Sequence, residues 1–356
     1  MISPTPWPET IDLSLTNFCN LQCIFCHSTA YDFGKPQSIP IELIYKLEPA
    51  FKHAKSVTLF NRFEPLVHPR FVEIFAFISQ FPCSLYFSTN GLNLTEALSS
   101  RLIKGKLDYL TISISSLCAD QYSKLYGKNV LPIVLKNLRT IVRLKKASNS
   151  SLPRLRIMVV LMKNNLDQLI PIIDLAGELK LEEGVAINYF LSHKESLLSE
   201  NPLSSENHGA VENCLAQSKA YARKKDVKLE VQAGASGELT EEQQSFIQKT
   251  GHKFCMEPFR RVSIEHNGDV KACSVANEVL GNLHETAIDK IWWNKDFNSF
   301  RTTVNTADPP QSCRNCWHCR QGAFQIENGE YSVHGQNVMD VPKRDEKKAV
   351  NEIIVD

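Results

Sequence analysis

Cys19-Asn20-Leu21-Gln22-Cys23-Ile24-Phe25-Cys26 packs three thiols into eight residues. Four thiolates would close a structural zinc site or an ordinary iron–sulfur cluster, whereas three leave one metal position open to a cofactor or substrate. Phe25 sets an aromatic face beside the thiols, and His27 just beyond them could act as a fourth ligand. The spacing does not match a zinc knuckle, which pairs one CxxC with a second nearby. Residues 11–15 are apolar and alternating and stop at Thr16-Asn17. The thiols therefore lie on the loop that leaves a first strand.

Downstream, short β-like runs alternate with amphipathic helical runs. Strands are expected at 56–60, 84–88, 109–114, 155–162 and 185–191. Helices are expected at 40–53, 68–81, 94–104, 130–146 and 166–180. Six βα repeats in order predict a parallel sheet with helices outside, curled by right-handed crossovers into a partial (β/α)6 TIM-like barrel. In such barrels chemistry sits on loops at the C-terminal strand ends, where the three thiols fall. From about 203 the pattern changes: a helix at 204–225, a strand at 227–231, a polar linker at 234–242, a hairpin over 259–273 and a helix at 287–304. The expected division is a barrel over 1–233, a small α+β domain over 234–330 and a polar tail over 331–356.

The chain has 356 residues, with 40 Lys+Arg against 39 Asp+Glu and a net charge of +1. That balance disfavours a broad nucleic-acid footprint. A hydrophobic fraction of 43% excludes a disordered or collagen-like chain. With neither a signal-peptide pattern nor an 18-residue apolar run, a cytoplasmic protein with no membrane partner is expected. Eleven cysteines in a reducing compartment point to metal or catalysis rather than disulfides. Besides the first three, Cys255, Cys273, Cys313, Cys316 and Cys319 form a second group, and Cys83, Cys118 and Cys214 are isolated.

The CxxxCxΦC spacing of Cys19, Cys23, Phe25 and Cys26 resembles that of the radical S-adenosylmethionine (SAM) superfamily. The resemblance implies a [4Fe-4S] cluster held by the three cysteines, with SAM on the open iron. It implies reductive SAM cleavage to a 5′-deoxyadenosyl radical that abstracts a substrate hydrogen atom, and a reductant such as flavodoxin or ferredoxin. Carried over residue by residue, it assigns cofactor contacts to Phe25 and Glu64, to Ser88, Thr89 and Asn90, and to Ser113 and Ser115. Tyr189 on strand six is a further candidate for substrate or adenine, as are Asn164 and Asn165. The family's Gly-Gly-Glu-like stretch appears here as Asn61-Arg62-Phe63-Glu64-Pro65, without the glycines, so backbone contact at 61–63 would need conformations open to other residues.

The later cysteines resemble the SPASM/twitch extension of this superfamily. Cys255, Cys273, Cys313 and Cys316 fit one fully ligated auxiliary [4Fe-4S] cluster, with Cys319 as a substitute for one of the last pair or as a spare. Two full clusters would need about eight thiolates. A zinc ribbon from the same four cysteines is the alternative. An auxiliary cluster suggests net oxidation of the substrate, such as dehydrogenation of a sugar or aminocyclitol or modification of a peptide. Strand one near residue 10 leaves no leader-binding domain before it, which tilts the expectation toward a small molecule. The alternatives are a redox-neutral epimerase with Cys118 as hydrogen donor, and a zinc-stabilised, non-catalytic binding protein.

Overall fold

The computed structural model describes residues 3–190, 194–232, 255–314 and 316, and two short strands, Gln325–Glu327 and Glu330–Ser332. Its frame is one open, ten-stranded sheet. Strands β1 (Thr10–Leu13), β2 (Ser56–Thr58), β3 (Ser84–Thr89), β4 (Tyr109–Ser113), β5 (Arg154–Leu161), β6 (Val185–Tyr189) and β7 (Leu229–Gln232) run parallel, in chain order. The strand expected at 227–231 proves to be a seventh parallel strand on the edge of β6.

Strand register separates the chemistry of the two faces. Val262, Ile11, Val57 and Leu85 lie side by side across four strands, all nearly inaccessible to solvent. This aliphatic face packs against helix residues such as Phe51, Ile74, Leu102, Leu138 and Ile172. One residue along, side chains point the other way. There Ser263, Asp12, Thr58, Tyr86, Tyr109 and Arg154 form a polar row across six strands. The helices cover one face, so this polar row lines the concave side.

Several helices depart from expectation. The 40–53 run splits into Ile41–Tyr45 and Glu48–Phe51, because Pro49 is tolerated only in the first turn of a new helix. The 287–304 run splits into Ile288–Trp292 and Lys295–Val304, where Asn294 Oδ1 accepts a hydrogen bond from Phe297 N at 2.7 Å and caps the second helix. A helix at Ala119–Tyr126 was not expected; it ends on Gly127 at φ +75°. Eight residues closed by a left-handed glycine leave too short a periodicity to stand out.

The C-terminal hairpin does not stand apart from the barrel. Its first strand, β8 (Arg261–Ile264), pairs in parallel with β1, and β9 (Asp269–Lys271) and β10 (Gly281–Asn282) continue antiparallel. Gly268, at φ +84°, closes the turn. Across the joint, Arg261 Nη1 donates to both carboxylate oxygens of Asp12, at 2.7 and 2.9 Å, and its Nε pairs with Glu257. Burial pushes the Asp12 carboxyl up even against that guanidinium. The expected boundary at 233/234 and the linker at 234–242 lie outside the described residues, as does the tail beyond Ser332. Among the described residues no helix is long and apolar enough to cross a membrane.

Candidate active site and second thiol cluster

The 19–26 loop leaves the C-terminal end of β1 and is fastened to the helix Ala119–Tyr126. Gln22 N donates to Tyr126 O at 3.2 Å and Ile24 N to Leu125 O at 2.9 Å. Thr29 Oγ1 donates to Cys26 O at 2.8 Å and to Cys23 O at 3.1 Å, which holds the last turn of the loop. Donors also reach the sulfurs: Leu21 N at 3.5 Å and Asn90 Nδ2 at 3.7 Å from Cys19, and Ser28 Oγ at 3.0 Å from Cys26. The three thiols are half-buried. Burial, then the Glu64 carboxylate, pushes Cys19 up to about 12. Burial and its two sister thiols push Cys23 well up, and burial raises Cys26 against the Ser28 hydrogen bonds. Thiols this crowded and this poorly solvated resist ionising without a cation among them; a metal supplies one and deprotonates its ligands outright. The donor set fits a metal cluster. His27 is packed edge-on between Phe33 and Phe63, with ring centroids at 5.7 and 5.8 Å.

Glu64 organises the neighbouring loops. Its carboxylate accepts from Thr89 Oγ1 and Asn90 N, each at 2.7 Å, and from Leu66 N at 3.1 Å. Burial lifts it to about 7 despite those three donors. Asn90 Nδ2 also donates to Asn20 Oδ1 at 2.7 Å, so one hydrogen-bonded chain runs from Glu64 to the thiol loop. Ser88 lies on the polar face of β3, half-buried. His68, beside this segment, is spent on structure: Nε2 meets Ile39 O at 3.0 Å and Nδ1 accepts from Arg70 N at 3.1 Å.

Ser113 and Ser115 converge on one phenol. Tyr126 OH donates to Ser115 Oγ at 3.0 Å, accepts from Ser115 N at 2.9 Å and lies 3.3 Å from Ser113 Oγ. Ser115 is fully buried, and its Oγ also accepts from Val160 N at 3.0 Å. Tyr126 stacks on Tyr122 and meets Phe25 edge-on at 5.4 Å. The spacing of Tyr122 and Tyr126 at i and i+4 is the sequence signal for this stacked pair. Asn165 is likewise buried and spent on Ser115 O, Val160 O and Met162 N. Tyr189 ends β6, half-buried.

The segment 61–63 joins the two halves of the protein. Asn61 Nδ2 donates to Ser263 Oγ at 3.1 Å, and Arg62 Nη2 to Ser274 O at 3.0 Å, next to Cys273. Of the side chains that replace glycines here, Asn61 reaches β8 and Arg62 reaches the wall of the second thiol group.

That group lines a cavity of about 540 Å3 bounded by Cys255, Cys273, Cys313 and Cys316, with Arg260, Arg261 and Glu257 also on its wall. Burial and the other thiols push Cys273 up to about 12 and Cys313 still higher. Three supports hold the cysteines. Asn305 Oδ1 accepts from Cys255 N at 2.8 Å while its Nδ2 donates to Cys255 O at 2.9 Å. Glu278 takes Ser312 N at 3.0 Å and the Ser312 hydroxyl, fixing the turn before Cys313. Buried Arg301 donates to Pro258 O and Trp292 O at 2.9 and 2.7 Å, with its guanidinium 4.1 Å from the Trp292 ring centroid. No sequence motif marks Asn305, Glu278 or Arg301, because each acts on residues distant along the chain. Among the described residues no three His, Cys, Asp or Glu side chains converge on a single ion. Four thiols around so large a volume fit a multi-iron cluster. Cys319, Trp317, His318 and His193 lie outside the described residues.

Cys118 is exposed at the N-cap of Ala119–Tyr126, where its N–H donates to Ser116 Oγ at 3.1 Å. Cys83 is half-buried, and Cys214 is half-buried with its thiol on Leu166 O at 3.3 Å.

Comparison with known proteins agrees with this geometry. The radical SAM superfamily matches residues 13–190, and an iron-sulfur cluster-binding domain, SPASM, matches residues 255–317. A probable GTP 3′,8-cyclase of Pyrococcus horikoshii is 28% identical over 166 residues, 47% of this chain and 51% of that protein. The tungsten-containing aldehyde ferredoxin oxidoreductase cofactor-modifying protein of Pyrococcus furiosus is 24% identical over 160 residues, 44% of this chain and 45% of that one. The chain spans about half the length of these curated relatives. Among solved structures, Streptococcus suis SuiB bound to S-adenosylmethionine superposes with a TM-score of 0.65 at 15% identity, covering 83% of this chain and 68% of SuiB. Native anSMEcpe with bound AdoMet gives 0.59 at 12%, covering 82% of each chain. At such identities the likeness is one of fold. With the superfamily matched over half of its length, and a thiol loop and thiol cavity where the two domains need them, this chain belongs to the radical SAM superfamily and carries a SPASM domain, implying a SAM-binding [4Fe-4S] cluster and an auxiliary cluster.

Proposed function

We propose that Cys19, Cys23 and Cys26 hold the SAM-binding cluster, that Cys255, Cys273, Cys313 and Cys316 hold the auxiliary one, and that the enzyme oxidises its substrate by two electrons. When bound, the first cluster with SAM supplies hydrogen-atom abstraction, and the auxiliary cluster supplies an acceptor for the second electron. The observation that carries this reading is the four-thiol cavity. A cluster with a protein thiolate on every iron has no vacant position for substrate, which leaves electron transfer as its chemical role. The protein's part is to position and shield. Glu64 and Asn90 fix the thiol loop; Tyr126 fixes Ser113 and Ser115; Asn61 and Arg62 tie the two sites together. On the same concave face, one row nearer the C-terminal strand ends, Ser88, Thr111 and Arg156 suit a hydroxyl-rich small molecule of the sugar or aminocyclitol type, or a peptide backbone.

Anaerobic reconstitution tests this. About eight iron atoms per chain and SAM cleavage under dithionite are expected. Zinc in place of iron after anaerobic purification would overturn it in favour of a binding protein. A second reading is redox-neutral epimerisation, favoured by the exposed Cys118 thiol just past β4. Deuterium from D2O in the product, lost in Cys118→Ala, would establish that route.

A further inference from the structure

Residues 121–147 contain seven Lys and Arg and no Asp or Glu, in a chain whose net charge is only +1. Three of the seven are answered by acids on neighbouring helices: Arg139 by Glu178, Arg143 by Glu96 and Lys145 by Glu182. The exposed Lys124, Lys128 and Lys136 make no ion pair among the described residues. They flank the turn between the helices Ala119–Tyr126 and Leu131–Ala147, and that turn is pressed against the thiol loop. Lys128 Nζ donates to Asn20 O at 3.1 Å. A Cβ on Gly127 would meet Gln22 O at 3.0 Å. With the backbone bonds of Gln22 and Ile24 to the same helix, these contacts fix the cationic face one layer from the cysteines. Beside it the surface dips into a groove lined by Pro132, Leu135, Lys136, Arg139, Thr140 and Arg143, with Ile133 exposed nearby.

We propose that this face, centred on Lys124, Lys128 and Lys136, is the docking surface for an acidic one-electron carrier protein. The inference rests on the radical SAM reading, because a cluster at Cys19–Cys23–Cys26 must be reduced from outside. Electron transfer needs close approach, and here exposed Lys128 bonds the cluster loop itself, with Lys124 and Lys136 exposed on the two helices that its turn joins. Carrier complexes of this kind bury little area and depend on electrostatic steering, which a concentrated single-sign patch provides. The acid nearest in sequence, Asp120, starts the helix whose opposite end carries the patch.

A flavodoxin is the probe, and the variant is Lys124→Glu/Lys136→Glu; Lys128 is spared because it touches the loop. Flavodoxin affinity at low salt and flavodoxin-driven SAM cleavage are each expected to fall about tenfold or more, with a flattened salt dependence. Dithionite-driven cleavage should hold, and Lys219→Glu, on a distant helix, should match the wild type in every assay. Should the charge reversal impair folding, Lys124→Gln/Lys136→Gln is expected to give a smaller drop in the same direction. Unchanged flavodoxin affinity, an equal loss with dithionite and flavodoxin, or loss of anionic-vesicle binding alone would each overturn the proposal. A wild type that binds flavodoxin on this face yet cleaves no SAM with dithionite would sink the enzymatic reading and leave the docking surface standing.

Discussion

The two thiol sites are built by opposite strategies. The loop at 19–26 takes three cysteines from eight consecutive residues and hangs them from one strand end and one helix. The cavity takes four cysteines from three separate segments and needs Asn305, Glu278 and Arg301 to bring them together. A local site can form once its loop is held. A dispersed site forms only when the surrounding chain is already folded, and its metal then contributes directly to that fold.

The largest effect expected is at the local site. Cys23→Ala should abolish SAM cleavage while about four iron atoms per chain remain, those of the auxiliary site. Retained cleavage would break the ligand assignment. The mirror experiment, Cys273→Ala, should also leave about four iron atoms but keep substrate-free SAM cleavage, with substrate oxidation lost. It should lower thermal stability more than Cys23→Ala does, because its metal ties three segments rather than one. Equal melting temperatures for the two variants would remove this contrast between the two sites.

A smaller effect is expected from the supports. Asn305→Ala leaves the backbone N–H and C=O of Cys255 without partners, at a cost of about 1–3 kcal/mol. Auxiliary iron should then leach faster to a chelator than the iron of the first site. Arg261→Ala strands the buried Asp12 carboxylate at the β1–β8 joint, and removing one partner of such a pair costs about 3–5 kcal/mol. Denaturant midpoints of the anaerobic holoproteins check both.

The same contrast explains what the sequence could reveal. The barrel was legible because each strand carries its own alternation and each helix its own stripe, and the thiol loop because its residues are contiguous. The parallel β1–β8 joint was not, since nothing in Arg261–Ile264 names Thr10–Leu13 as its partner. Nor were Tyr126 and Asn305, whose work is to hydrogen-bond residues that the chain brings from elsewhere. Asn61 and Arg62 read as departures from a glycine pattern; only the fold shows them spanning to Ser263 and Ser274.

The smallest expected effect concerns Glu64, which stands behind the local site alone. Burial raises its carboxyl from the ordinary 4.5 to about 7. Between those values the folded chain holds a proton that the unfolded chain has lost, so stability falls as pH rises through the window and levels off above 7. From pH 6 to pH 8 the wild type should therefore lose about 1 kcal/mol relative to Glu64→Gln, whose amide does not titrate. Anaerobic urea unfolding of both proteins across that range measures the difference. Parallel profiles would show that the three hydrogen bonds from Thr89, Asn90 and Leu66 outweigh burial and keep the carboxylate ionised throughout. The loop anchored by Asn90 would then rest on a fixed charge rather than on a group that changes state near neutrality.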